Sequence, residues 1–110
     1  MIALTPEQRQ TVERRFRDLA TEWAELTAYR SNMGALRDHP VYRELVALGE
    51  PAVPLILSEL EREPSVSWFG LLTSITGENP VSPELAGRVA AMAGAWLEWG
   101  RRQGYSESPP

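Results

Sequence analysis

The chain has 110 residues, of which 43% are hydrophobic, and a formal net charge of −4, a length that suits one modest domain and does not comfortably hold two. It contains no cysteine and no lysine, its only histidine is His39, and all eleven basic residues are arginine. These absences exclude disulfide stapling, thiolate catalysis, Cys-rich zinc sites, a P-loop lysine and Schiff-base lysine chemistry.

Eleven arginines stand against fifteen acids, so the chain lacks the strong positive field that drives non-specific nucleic-acid binding. Residues 1–45 hold seven Arg and seven acids, whereas residues 46–110 hold four Arg and eight acids, so the whole deficit lies in the second part. We read the replacement of Lys by Arg as codon bias in a GC-rich genome. No apolar run nears the roughly 18 residues that a membrane helix needs. The first residues, Met1-Ile2-Ala3-Leu4, lack the basic start and long apolar stretch of a signal peptide, and a cytoplasmic location is expected.

In chain order, Thr5-Pro6-Glu7-Gln8 predicts a helix start, with Thr5 and Gln8 as a capping box and Pro6 at the first helical position. Val12, Phe16, Leu19, Trp23 and Leu26 then place one apolar stripe on a long helix. The pattern fades at Tyr29-Arg30-Ser31-Asn32, and Gly34 marks a break. Asp38-His39-Pro40 opens a short second helix that buries Val41, Tyr42, Leu45 and Leu48 and closes at Gly49.

Glu50-Pro51 begins a third helix almost without a loop, with Pro54 still in its first turn, where a missing N–H costs little. Val53, Leu55, Ile56, Leu57 and Leu60 make this helix apolar over much of its circumference, as expected of a central one. A fourth helix, capped by Ser65 or Ser67, carries Trp68, Phe69, Leu72 and Ile75 and stops at Gly77. Ser82-Pro83 opens a last helix over 82–103, with its stripe on Leu85, Val89, Met92, Trp96 and Trp99 and its stop at Gly104. The expected organisation is one helical domain over 1–105 and a disordered tail over 106–110.

Helices two and four share a template: Val41, Tyr42, Leu45 and Leu48 recur as Trp68, Phe69, Leu72 and Ile75, each 27 positions later. Paired helices on one template are what a stacked array of helical hairpins requires. The stretch Tyr42-Arg43-Glu44-Leu45-Val46-Ala47-Leu48-Gly49-Glu50-Pro51-Ala52-Val53-Pro54-Leu55-Ile56-Leu57-Ser58-Glu59-Leu60 resembles a HEAT-type repeat. More widely, His39-Pro40, Trp68-Phe69, the run 75–81 and Ala95-Trp96-Leu97-Glu98-Trp99-Gly100 resemble a group of small bacterial proteins. The resemblance implies an all-α fold, a five-helix array of HEAT-like hairpins with a long N-terminal helix over an open edge. It also implies a protein-binding role and carries no activity with it.

Candidate residues follow from chemistry. His39 is the one side chain that titrates near neutrality unperturbed; it serves either as a base or partner sensor, or as a residue that packs at the start of its helix. Glu59, Glu61 and Glu63 cannot converge on one metal ion, because residues two apart on a helix point about 200° apart. Glu59 and Glu63 do share a face and offer an acidic patch to a basic partner. Trp68 and Phe69 are neighbours about 100° apart on a helix, so one of them is expected at the surface as an interface anchor. Glu78 and Asn79 lie on a polar loop that is either a recognition loop or a helix cap and turn.

No motif supports a catalytic triad, no metal site or cofactor is expected, and the chain is not read as an enzyme. The expected function is a small protein-interaction module, an adaptor or inhibitor, with Trp68, Phe69, Glu78, Asn79, His39, Glu59 and Glu63 as partner-binding candidates. An alternative is an antitoxin-like or nucleic-acid-associated regulator that uses Arg9, Arg14, Arg15 and Arg17. A leftover apolar stripe on the first helix, or an exposed Trp68, would equally serve a homodimer.

Overall fold

Thr5 and Gln8 cap each other: the Thr5 N–H donates to Gln8 Oε1 at 3.0 Å and the Gln8 N–H donates to Thr5 Oγ1 at 3.1 Å. From this capping box α1 runs over Pro6–Ala28. The computed structural model describes residues 5–28 and 36–105. The expected fading at Tyr29-Arg30-Ser31-Asn32, the break at Gly34 and the disordered tail lie outside the described residues. The α-helices whose bounds lie wholly within the described residues after it are α2 (Pro40–Ala47), α3 (Val53–Arg62), α4 (Phe69–Thr76) and α5 (Val89–Gln103). Single 3₁₀ turns at Glu50–Ala52, Val66–Trp68 and Pro83–Leu85 precede α3, α4 and α5, and no strand occurs among the described residues. The fold is all-α with a long N-terminal helix.

The predicted stripe on α1 is the buried one, with Phe16, Leu19 and Trp23 enclosed and Val12 and Leu26 half-buried. α1 packs on α2 and on the Glu50–Ala52 turn, α2 packs on α4, and α3 packs on α4 and α5. In α3, Val53, Ile56, Leu57 and Leu60 are all shielded from solvent, in keeping with the expected central position. The 27-residue recurrence is matched in burial: Val41, Tyr42 and Leu45 are buried and Leu48 is half-buried, and Trp68, Phe69, Leu72 and Ile75 repeat that order.

Between α2 and α4 the Tyr42 hydroxyl donates to the Gly70 carbonyl at 3.1 Å and meets Ser74 Oγ at 2.6 Å. The single phenol proton is then in use, so the Ser74 hydroxyl is the donor of the second bond. All four Trp are buried, and Trp96 meets Trp99 edge-on at 5.3 Å.

The last helix differs from the expected span. Residues 83–85 form only a 3₁₀ turn, Gly87 takes φ 85°, and α5 begins at Val89. A left-handed residue cannot continue a right-handed helix, and glycine adopts that conformation at little steric cost. The helix therefore restarts with Met92 N–H donating to the Arg88 carbonyl at 2.9 Å.

α5 closes with Gly104 at φ 82°, where the Gly104 N–H donates to the Arg101 carbonyl at 3.2 Å and the Tyr105 N–H to the Gly100 carbonyl at 2.9 Å. This is a Schellman ending with its usual apolar return contact, as the Tyr105 ring stacks on Trp99 at 5.5 Å. Partial burial, then the nearby charge of Glu50, raise the Tyr105 hydroxyl above the ordinary tyrosine range. A raised pKa means that the fold favours the neutral phenol. This contribution is complete below the unfolded value near 10 and is lost as pH climbs through the raised folded value. Urea unfolding between about pH 8 and 11 is expected to show a shallower alkaline loss of stability in Tyr105→Phe than in the wild type. Equal slopes would show that burial and Glu50 together do not raise this hydroxyl in the folded protein.

Candidate functional site

A concave surface lies between α1 and α3. Two hollows, of about 530 and 630 Å³, share Ala20, Ala24, Glu59 and Arg62 and so form one groove. The first reaches Thr27, Ala28, Glu63 and the 3₁₀ turn with Ser65, Val66 and Trp68; the second reaches Glu13, Arg17, Glu25, Leu55 and Ser58.

Helical spacing sets this surface. On α1 the short side chains Ala20, Ala24 and Ala28 recur every fourth residue beside the buried stripe, which holds α1 low along the groove. On α3, Leu55, Ser58, Glu59 and Arg62 line the facing stripe, the set that one helix face presents at offsets of three, four and seven. Ser65 fixes the far end by accepting a hydrogen bond from the Ser67 N–H at 3.3 Å, and the Ser67 carbonyl in turn accepts from Trp23 Nε1 at 3.1 Å. Val66, in the turn thus pinned, is 48% exposed, the one large hydrophobic side chain that is exposed among the described residues.

The groove is mixed in charge with an acidic excess. Four carboxylates, Glu13, Glu25, Glu59 and Glu63, face two guanidiniums, Arg17 and Arg62. Arg62 is paired with Glu59 across one helical turn, whereas Glu13, Arg17, Glu25 and Glu63 make no ion pair among the described residues. Arg15, of the arginine cluster considered for nucleic acid, is paired with Glu44 of α2. Among the described residues no group of three or more acidic or histidine side chains is placed to hold a metal ion, and no helix is long and apolar enough to cross a membrane.

Of the sequence candidates, the structure brings together Glu59, Glu63 and Trp68, all in the wall of this groove. Neither Trp68 nor Phe69 is the expected exposed anchor, since they are 6% and 9% exposed. Trp68 ends a 3₁₀ turn and Phe69 begins α4, so the pair straddles a junction in a layered core. Phe16 of α1 covers Trp68 at 5.9 Å between rings, while α4 lies against both α2 and α3.

His39 caps α2, with Nδ1 accepting from the Val41 N–H at 3.1 Å. That bond requires an unprotonated Nδ1 and accounts for the residue through local structure. Glu78 and Asn79 sit in a cap and turn: the Glu78 N–H donates to Thr76 Oγ1 at 3.1 Å, and Asn79 Oδ1 accepts from the Val81 N–H at 3.2 Å. His39, Phe69, Glu78 and Asn79 do not line the groove. Sequence reasoning missed Ala20, Ala24, Arg62 and Val66; the signal for the first two was the run of small residues at 20, 24 and 28. Compared with protein-family models, curated proteins and solved structures, the chain matches none of them.

Proposed function

We propose that this protein is a small protein–protein interaction module, an adaptor or inhibitor on HEAT-like helical hairpins, acting in the cytoplasm without chemistry of its own. The observation that carries the reading is the α1–α3 groove, with short Ala20 and Ala24 on one wall, charged rims and an exposed Val66 at its end. Apolar ground edged by charge is the make-up of transient protein interfaces. The recurrence of one burial pattern on α2 and α4 supports the hairpin reading.

Ala24→Arg tests the groove directly. Ala24 is exposed on α1 and Arg is a strong helix former, so the fold is expected to persist, as circular dichroism would verify. The wild type is expected to co-purify from its native cells with a protein that Ala24→Arg fails to retain. Recovery of the wild type alone and monomeric at high concentration, or equal recovery by the variant, would refute the reading.

A further inference from the structure

The chemistry of the groove narrows the class of partner, an inference that rests on the reading of the groove as a protein-docking surface. Its walls are helices, and no strand edge exists among the described residues, so an extended peptide finds no ladder to join. The α1 wall runs from Glu13 to Ala28, or about 22 Å at 1.5 Å per residue, the length of roughly four helical turns. Ala20, Ala24 and Ala28 are too short to hold a helix backbone away, and Leu55 and Val66 offer apolar contact. On the rims, Glu13, Glu25 and Glu63 are the carboxylates without an ion pair among the described residues, against Arg17 alone of the guanidiniums.

The geometry points to a basic amphipathic helix of a partner protein as the occupant. Its small or aliphatic stripe lies on Ala20, Ala24, Leu55 and Val66, and its Lys or Arg side chains reach Glu13, Glu25 and Glu63. An acidic helix in the same place would set like charges against those three carboxylates, the arrangement that discriminates against a wrong partner.

A library of displayed random peptides, each about sixteen residues long to match the wall, tests this against the full chain. Peptides that survive selection are then titrated against the wild type, Ala24→Arg and the double variant Glu25→Gln/Glu63→Gln, at low and high salt. The expected survivors carry Lys or Arg at spacings of three and four and bind Ala24→Arg at least about tenfold more weakly, the equivalent of 1.4 kcal/mol. They also lose affinity several-fold, roughly, in the double variant and at high salt, as partly exposed ion pairs do. Survivors that are neutral or acidic yet sensitive to Ala24→Arg overturn the basic assignment and leave the groove reading standing. Survivors indifferent to Ala24→Arg, or no survivors, overturn both.

Discussion

Replacement of Trp23 by alanine is expected to remove about 3–5 kcal/mol of folding stability, the range for truncating a large buried aromatic. Trp23 is 1% exposed and joins three parts of the fold. Its ring lies 5.7 Å from that of Tyr42 on α2, and its indole N–H donates to the carbonyl of Ser67 in the turn that leads into α4. Marginal domains have about 5–15 kcal/mol in total, so this one change removes a large share. Trp23→Phe separates packing from hydrogen bonding: most of the apolar bulk remains while the Ser67 carbonyl loses its donor, a loss of about 1–3 kcal/mol. Urea midpoints for the two variants check both figures. If Trp23→Phe cost as much as Trp23→Ala, the indole hydrogen bond would outweigh the packing, contrary to this account.

The secondary structure was legible where one residue type has one local consequence. The Thr5–Gln8 capping box, Pro40 at the start of α2 and Gly77 and Gly104 at the ends of α4 and α5 all stand where the sequence places them. The error at 82–103 has the same local character. Ser82-Pro83 carries the signal of a helix start, while Gly87, four residues past the proline, is a stop within the same periodic pattern, the role glycine takes there.

The site was less legible, because it depends on which helix lies beside which. Glu59 and Glu63 could be placed together, since both sit on one helix four residues apart. Ala20 and Ala24 share a face by the same spacing, but their importance comes from α3 lying across from them, which spacing along one helix does not reveal. The Trp68-Phe69 error has a related cause. A regular helix taken alone leaves one of two adjacent aromatics outward, whereas here α1 covers Trp68 and α4 is set against both α2 and α3. Pairwise stacking of helices was thus beyond what periodicity along one chain can determine.

The α3–α5 contact yields a sharper test, in which one substitution is expected to change sign with its neighbour. A Cβ added to Gly100 would lie 2.5 Å from Leu57 Cδ1, with Leu57 Cγ and Cδ2 at 3.6 and 3.7 Å. Leu57 is only 2% exposed, and turning its methyl groups brings one in place of the other, so overpacking of about 1–3 kcal/mol is expected. Alanine in place of glycine within a helix contributes about 1 kcal/mol in the opposite direction. The steric term is the larger, and Gly100→Ala is expected to destabilise. Leu57→Ala alone is expected to cost about 2–5 kcal/mol through the cavity it leaves. In that background the clash is gone, and Gly100→Ala keeps its helical advantage while placing a methyl group beside the void. It should therefore stabilise by about 1 kcal/mol. The coupling between the two changes then amounts to roughly 1–3 kcal/mol, within the range for residues in contact. Chemical unfolding of the wild type, both single variants and the double variant measures it. Additive effects would show that Gly100 does not bring α5 onto Leu57, and that its lack of a side chain serves nothing in the packing of these two helices.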